Sequence, residues 1–353
     1  MPKKEEQLSG VKEIARRANV SIGTVDRVLH NRNGVSPKTR EKVKAIIKEL
    51  DYQPNLLARR LASKKVIHIA TLLPLVSKDT SFWLVPLEGI NRAEAEIKQY
   101  NIRIDRYFFD QDDKESFVSQ TRKILRKKPD GVLLSPDFIE ESVAFTNKCN
   151  QLGIPYVFID SDIEAQNRLS YIGPDLYDSG YLVANLVNYI LRGNESVLLL
   201  NISKRMYKHH HLLRKEEGFR RYFKDHSINR KIEKIDIRKG DSLFIEKKIA
   251  SVLSQDKDIR LVFVTNSRVS VVAQCLKRLK KKLILIGYDF LEENIKALVE
   301  GDIDFLICQK PGEQAYKGIM SLYQHIVLNS GVDRMQFMPI DIITKENYKF
   351  YKN

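Results

Sequence analysis

Four polar residues stand directly behind apolar runs of the chain. They are Asp160 after Tyr156-Val-Phe-Ile, Asn266 after Leu261-Val-Phe-Val-Thr, Asp289 after Leu283-Ile-Leu-Ile-Gly-Tyr, and Gln309 after Phe305-Leu-Ile-Cys. Each run is short, rich in β-branched or aromatic residues, and reads as a buried strand. A carboxylate or amide at such a place can hydrogen-bond a polyhydroxylated ligand. Phe82 and Trp83, behind the run Val66–Leu73, offer rings on which an apolar sugar face can stack. Capping is the other role open to Asp and Asn there, but several such groups at strand ends favour a cleft. Catalytic spacings are missing: no GxGxxG, Walker A, HExxH, CxxC or GxSxG occurs. Ser9-x-x-Lys12 lies in a helical pattern. His209-His210-His211 are consecutive, and regular structure cannot aim all three at one ion. Cys149, Cys275 and Cys308 are far apart and read as reduced core thiols. A binding protein without cofactor or metal is expected, not an enzyme.

A second chemistry is electrostatic. The chain has 353 residues and a formal charge of +15, with 60 Lys/Arg against 45 Asp/Glu. Residues 1–65 hold 16 of those cations and 7 of the anions, so most of the excess sits in under a fifth of the length. A basic head on a nearly balanced body is the footprint of nucleic-acid binding. No run of 18 apolar residues exists, and Met1–Gln7 is charged with no apolar stretch behind it. Those features predict a cytoplasmic protein with no membrane span.

The head reads as three short helices. Val11–Ala18 buries Ile14, Ala15 and Ala18, and Asn19 suits a tight turn. Ser21 caps Ile22–Leu29, whose inner side is Val25, Val28 and Leu29. Ser36-Pro37 starts a third helix with Val43, Ile46, Ile47 and Leu50 at helical spacing. This is a helix-turn-helix, and its second helix would enter the major groove. Arg27 can pair with guanine, and Thr24 can bond phosphate or touch a thymine methyl. Lys12, Arg16, Arg32, Lys38 and Arg40 would ring that helix and face phosphates.

The run from Ser9 to Asn31, with Gly34-Val-Ser-Pro-Lys-Thr-Arg-Glu-Lys-Val and Leu50-Asp-Tyr-Gln-Pro-Asn, resembles the head of the LacI/GalR family of ligand-responsive bacterial transcription factors. The resemblance implies a DNA-binding domain over 1–53 and a hinge helix over 54–65 that forms on DNA. On the head it implies DNA contacts from Lys12, Ser21, Ile22, Gly23, Thr24, Asp26, Arg27, Asn31 and Tyr52. On the hinge it implies Asn55, Ala58 and Leu61, with Leu61 as the wedge that opens a central base step. Gly23 and Asp26 depart from the family's usual residues, so the operator sequence does not carry over. Asp26 is compatible with phosphates if it accepts from a cytosine amino group or braces Arg27.

After Lys65, nine β-rich runs alternate with amphipathic stretches such as Leu84–Gln99 and Tyr177–Leu191. That alternation predicts parallel sheets covered by helices, in two lobes. The expected effector domain spans 66–353. Its N-lobe covers about 66–169 and 312–333, and its C-lobe about 170–309 and 337–350. The body resembles the family's type I periplasmic-binding-protein fold, which implies a hydrogen-bonding set of Asp160, Asn266, Asp289 and Gln309. A clamping Arg of the family is replaced by Lys215, with Arg214 beside it, and Lys cannot reproduce the planar fork. Either Arg214 shifts inward or the ligand is held differently. The resemblance thus predicts a repressor that binds near-palindromic operator DNA as a homodimer, its affinity set by a small ligand of the sugar class.

Overall fold

Ser36 and Pro37 show how the head is punctuated. The Ser36 hydroxyl accepts from the Thr39 N–H at 3.2 Å, and Pro37 fills the first helical position. The structure is a computed structural model. It describes residues 10–29, 31–50, 52, 66–77, 80–203, 210–238 and 241–353. Two units divide at Ser63/Lys64. In the first, α1 (Val11–Ala18), α2 (Ile22–Leu29) and α3 (Pro37–Glu49) close on Ile14, Val25 and Val43, all fully buried. Asn19 ends α1 in the left-handed conformation at φ 55°. Ser21 then accepts from the Thr24 N–H at 3.1 Å. Leu29, Ile46, Ile47 and Leu50 are only partly buried against this core. The segment expected as a hinge helix, with Asn55, Ala58 and Leu61, lies outside the described residues, as does His209.

The second unit contains two six-stranded sheets. In chain order the strands of the first are β1 (Ile67–Pro74), β2 (Ile102–Phe109), β3 (Gly131–Leu134), β4 (Tyr156–Ile159), β5 (Ser170–Gly173) and β11 (Met335–Phe337). The second holds β6 (Ser196–Ile202), β7 (Ile232–Ile237), β8 (Ile259–Val264), β9 (Ile284–Tyr288), β10 (Phe305–Cys308) and β12 (Asp341–Ile343). Their orders are β11-β5-β4-β3-β1-β2 and β12-β10-β9-β8-β6-β7. All pairs are parallel except β10 with β12. Helices on both faces bury the strands, which is why the central ones are continuous apolar runs without alternation.

The lobe boundaries differ from the expected ones. Ser170–Gly173 pairs with β4, and Met335–Phe337 pairs with Ser170–Gly173, so both belong to the first sheet. The first crossover therefore follows Gly173. Parallel register decides this, since β5 continues the hydrogen-bond ladder of β4 before the chain changes lobe. Three strands went unanticipated, namely β5, β11 and β12, each only three or four residues long.

One helix pair packs tightly in each lobe. In the first, α4 (Leu84–Ile97) crosses α12 (Pro311–Ile326) at Gly89, where a methyl group would collide with the Gly312 carbonyl. In the second, α7 (Leu176–Ile190) meets α8 (His210–Asp225) at Gly180, directly against the Lys215 backbone. No helix among the described residues is long and apolar enough to cross a membrane.

Candidate functional site

A cavity of about 380 Å³ opens between the two lobes of the body. Its walls come from the C-terminal ends of strands in both sheets, as the topology of parallel sheets requires. Asp160, Asn266, Asp289 and Gln309 all line it, with Phe82, Trp83 and Lys215. Phe82 and Trp83 are buried edge to face, 5.0 Å between ring centres. Across the cleft, the Thr80 and Ser267 hydroxyls bond at 3.1 Å, and the Ser81 hydroxyl donates to Glu293 at 3.3 Å.

The side chains are organised to different degrees. Gln309 Nε2 donates to Asp289 Oδ1 at 3.1 Å, while its Oε1 is buried with no hydrogen-bond partner. Gln314, on α12, accepts from the Asp160 N–H at 3.0 Å and donates to the Gln309 carbonyl at 2.8 Å. Asp160, Gln314, Gln309 and Asp289 thus form one amide relay from lobe to lobe. Asp160 and Asp289 adopt left-handed φ values of 68° and 74°, which Asp tolerates better than a β-branched residue. Asn266 spends its amide on the loop, donating to the Ile202 carbonyl at 2.6 Å and accepting from the Arg268 N–H at 3.3 Å.

Lys215 enters the cavity, and Arg214 does not. Residues 212, 215 and 219 share one face of α8, and Leu212, Lys215 and Phe219 are all buried. Arg214 instead pairs with Glu217 at 2.8 Å and lies over the Tyr177 ring. The Lys215 ammonium donates to the Thr265 carbonyl at 3.4 Å and sits 3.6 Å above the Tyr288 ring centre. A buried network braces that strand end. Thr265 donates to Asn201, which donates to Glu216, itself paired with Arg220 and Lys234.

Burial sets the protonation of these groups. It pushes the Asp160 carboxyl up to about 7; nearby Asp137 adds to the shift and Lys215 opposes it. Asp289 is raised for the same first cause, with Lys215 and Gln309 opposing. Burial lowers Lys215, while Asp289 and Asp160 hold it back.

Sequence reasoning overlooked Asp110, Gln111, Asp112 and Asp137, which also line the cavity. Gln111 donates to Asp137 at 2.7 Å. The available signal was the rule that found Asp160, since Asp110 follows the strand end Phe109 and Asp137 stands three residues beyond Leu134.

On the head, Ile22, Gly23 and Arg27 are exposed along α2, and Thr24 is half-buried with its hydroxyl 3.0 Å from that of Ser21. Lys12, Arg27 and Lys38 are exposed with no side-chain partner among the described residues. Other expected phosphate ligands are engaged. Arg32 pairs with Asp26 at 3.1 Å, so Asp26 braces Arg32 and not Arg27. Arg40 donates to Asn31 Oδ1 and to the Arg32 carbonyl, fixing the loop behind α2. Arg16 and Arg17 both bond Glu13, whose carboxyl they hold down at about 2. Tyr52 packs on the head core near Gly10.

Comparison with known proteins agrees with both halves. The bacterial regulatory proteins of the lacI family match residues 10–55, and a periplasmic binding protein domain matches residues 69–329. The chain belongs to the LacI family. It is a DNA-binding transcriptional regulator with a periplasmic-binding-protein domain. It is 26% identical to the NTD biosynthesis operon regulator NtdR of Bacillus subtilis, over 79% of this chain and 82% of that one. Among solved structures it resembles a candidate LacI transcriptional regulator from Bacteroides fragilis at a TM-score of 0.76 and 29% identity, covering 82% of this chain and all of the other. GanP, a glucose-galactose binding protein from Geobacillus stearothermophilus, shares the fold at a TM-score of 0.71 and 22% identity, covering 80% and 99% of the two chains.

Proposed function

We propose that this LacI-family regulator represses transcription as a homodimer on a near-palindromic operator, and that a small carbohydrate in the cleft sets its operator affinity. The observation that carries the reading is convergence. Carboxylates from both lobes, Asp160 and Asp289, meet the Phe82–Trp83 pair on one cavity. The fold shared with a glucose-galactose binding protein supports a sugar. Ligand touching both lobes stabilises a closed arrangement, and it alters DNA affinity only if the two arrangements bind DNA differently; DNA then alters sugar affinity by the same factor. In this reading 1–53 is the DNA-binding head, 54–65 the hinge carrying Asn55, Ala58 and Leu61, and 66–353 the sensor. One head offers little surface for a specific site, which is the argument for a dimer.

The test selects DNA from a random pool with the full chain and then titrates sugars against the retained sequence. A near-palindrome bound by two chains, its affinity changed by a sugar, is expected. Arg27→Ala should weaken binding by about 1–3 kcal/mol and relax one base in each half-site. Lys38→Ala should weaken all sequences alike and lower the salt slope by roughly one. Binding without sequence preference, or a complex indifferent to every sugar, would overturn the reading.

A further inference from the structure

We propose that Tyr351 and Asn353 are positioning residues of the effector site, which hold Gln309 and Asp289 in place through the residue that follows each. This rests on the sugar-sensing reading above and adds to it two side chains that do not line the cavity. Gln309 and Asp289 stand directly beyond the paired strands β10 and β9 and bond each other side chain to side chain. After Gln309 comes Lys310, whose N–H donates to the Tyr351 hydroxyl at 3.1 Å. After Asp289 comes Phe290, whose carbonyl accepts from Asn353 Nδ2 at 3.0 Å. Tyr351 reaches both turns, since its ring centre also lies 4.7 Å from that of Phe290 and 5.5 Å from the Lys310 ammonium. One short segment thus clips two turns that are far apart in sequence.

Those turns need an outside hold. Asp289 and Lys310 both take left-handed φ values, 74° and 52°, a conformation unfavourable for a residue with a Cβ. Such backbone persists where its surroundings over-determine it. Phe290, Tyr348 and Tyr351 supply part of the hold by packing, partly buried, on one core of the second lobe. Hydrogen bonds supply the rest. The Gln309 carbonyl and the Lys310 N–H are the two ends of one planar peptide group. Gln314 donates to the first end at 2.8 Å, and Tyr351 accepts from the second. Without Tyr351 that peptide is free to rotate about its one remaining bond, and rotation swings the Gln309 amide off Asp289. On the other turn, Asn294 Nδ2 donates to the Asp289 carbonyl at 3.0 Å and Asn353 to the next one, so two successive peptide groups are pinned.

The experiment uses the full chain with Tyr351→Phe, Asn353→Ala and a control in the same segment, Phe350→Ser, whose side chain is 84% exposed. Amide hydrogen exchange without sugar comes first. Tyr351→Phe should speed exchange at Lys310 on the order of tenfold, and the control should not. Calorimetry then measures a panel of free hexoses and pentoses, D-glucose, D-galactose, D-ribose and D-arabinose among them, against each protein. For the sugar that binds the native chain most tightly, Tyr351→Phe and Asn353→Ala should each weaken binding about threefold to tenfold, while the control matches the native chain. In a Gln309→Ala background Tyr351→Phe should have no further effect, because it acts through that residue. A purely structural role would lower the urea midpoint and leave sugar affinity as it was. If Tyr351→Phe leaves the Lys310 amide protected, frees it without weakening the sugar, or weakens the sugar equally with and without Gln309, the positioning role is wrong and the sugar sensor stands. If no sugar binds the native chain, the sugar-sensing reading falls, and the positioning role with it.

Discussion

The two lobes of the body share one strand order, yet they surround their cleft aspartates differently. β4 and β9 hold the same place in their sheets, and each is followed by a left-handed aspartate, Asp160 or Asp289. Asp289 is met within its own lobe by the Gln309 amide and by the field of Lys215. Asp160 has the Asp137 carboxylate as its lobe-mate, and Gln314 grips its backbone, not its carboxyl. The repeat fixes where an acceptor stands. The residues around that position decide whether its charge is balanced before a ligand arrives. Asp289 is held by an amide of its own lobe, whereas the Asp160 carboxyl accepts only a longer bond, 3.4 Å, from the neighbouring Ser161 hydroxyl among the described residues.

Mechanical equivalence is the part of this comparison with the largest expected effect. Each lobe needs a glycine at its helix crossing, Gly89 against Gly312 and Gly180 against the Lys215 backbone. Gly89→Val and Gly180→Val should each destabilise the protein by about 3 kcal/mol, because backbone cannot yield as a side chain does. Urea unfolding midpoints would show it. A large loss in one lobe with none in the other would break the equivalence. Electrostatic difference comes next. Asp289→Ala should weaken effector binding by about 2–3 kcal/mol, since it also strands the Gln309 amide. Asp160→Ala removes a less organised acceptor and should weaken a neutral sugar by less, about 1–2 kcal/mol. Titrating effector against the operator complex ranks the two, and the reverse order would mean that Gln309 does not organise its side of the cleft.

How much of this was legible depended on run length and phase. Apolar runs such as Leu261–Val264 stand out, and the polar residue behind each one locates the cleft. β11 and β12 sit at sheet edges and are three residues long, with Met335 and Phe337 exposed, so no burial pattern marks them. β5 is buried but only four residues long, and its assignment to the first lobe follows from pairing register, a long-range property. Arg214 was a phase problem with an answer in the chain. Leu212, Lys215 and Phe219 fall at i, i+3 and i+7, the inner face of one helix. Arg214 lies about 100° round the helix from Lys215, away from that face. On the head, the residue types correctly suggested a basic surface. They did not show which cations are engaged, because Arg32, Arg40 and Arg16 find partners only after folding.

The smallest effect is also the sharpest separation of the two aspartates. Asp160 in the folded protein holds its proton up to about pH 7, while in the unfolded chain it releases it near the ordinary carboxyl value of about 4. Between those limits the folded state binds more protons than the unfolded one, so this group's contribution to stability falls as pH rises and stays low above pH 7. Asp160→Asn removes the ionisation. The variant should exceed the native chain in stability by about 1–2 kcal/mol at pH 8, and the gain should shrink to nothing by about pH 4. Asp289→Asn should gain less at pH 8, because removing that charge leaves the buried Lys215 ammonium with less compensation. Paired thermal melts of the three proteins across this range measure the difference directly. A gain for Asp160→Asn that does not change with pH would mean that Asp160 ionises alike in both states, and that burial does not set its protonation.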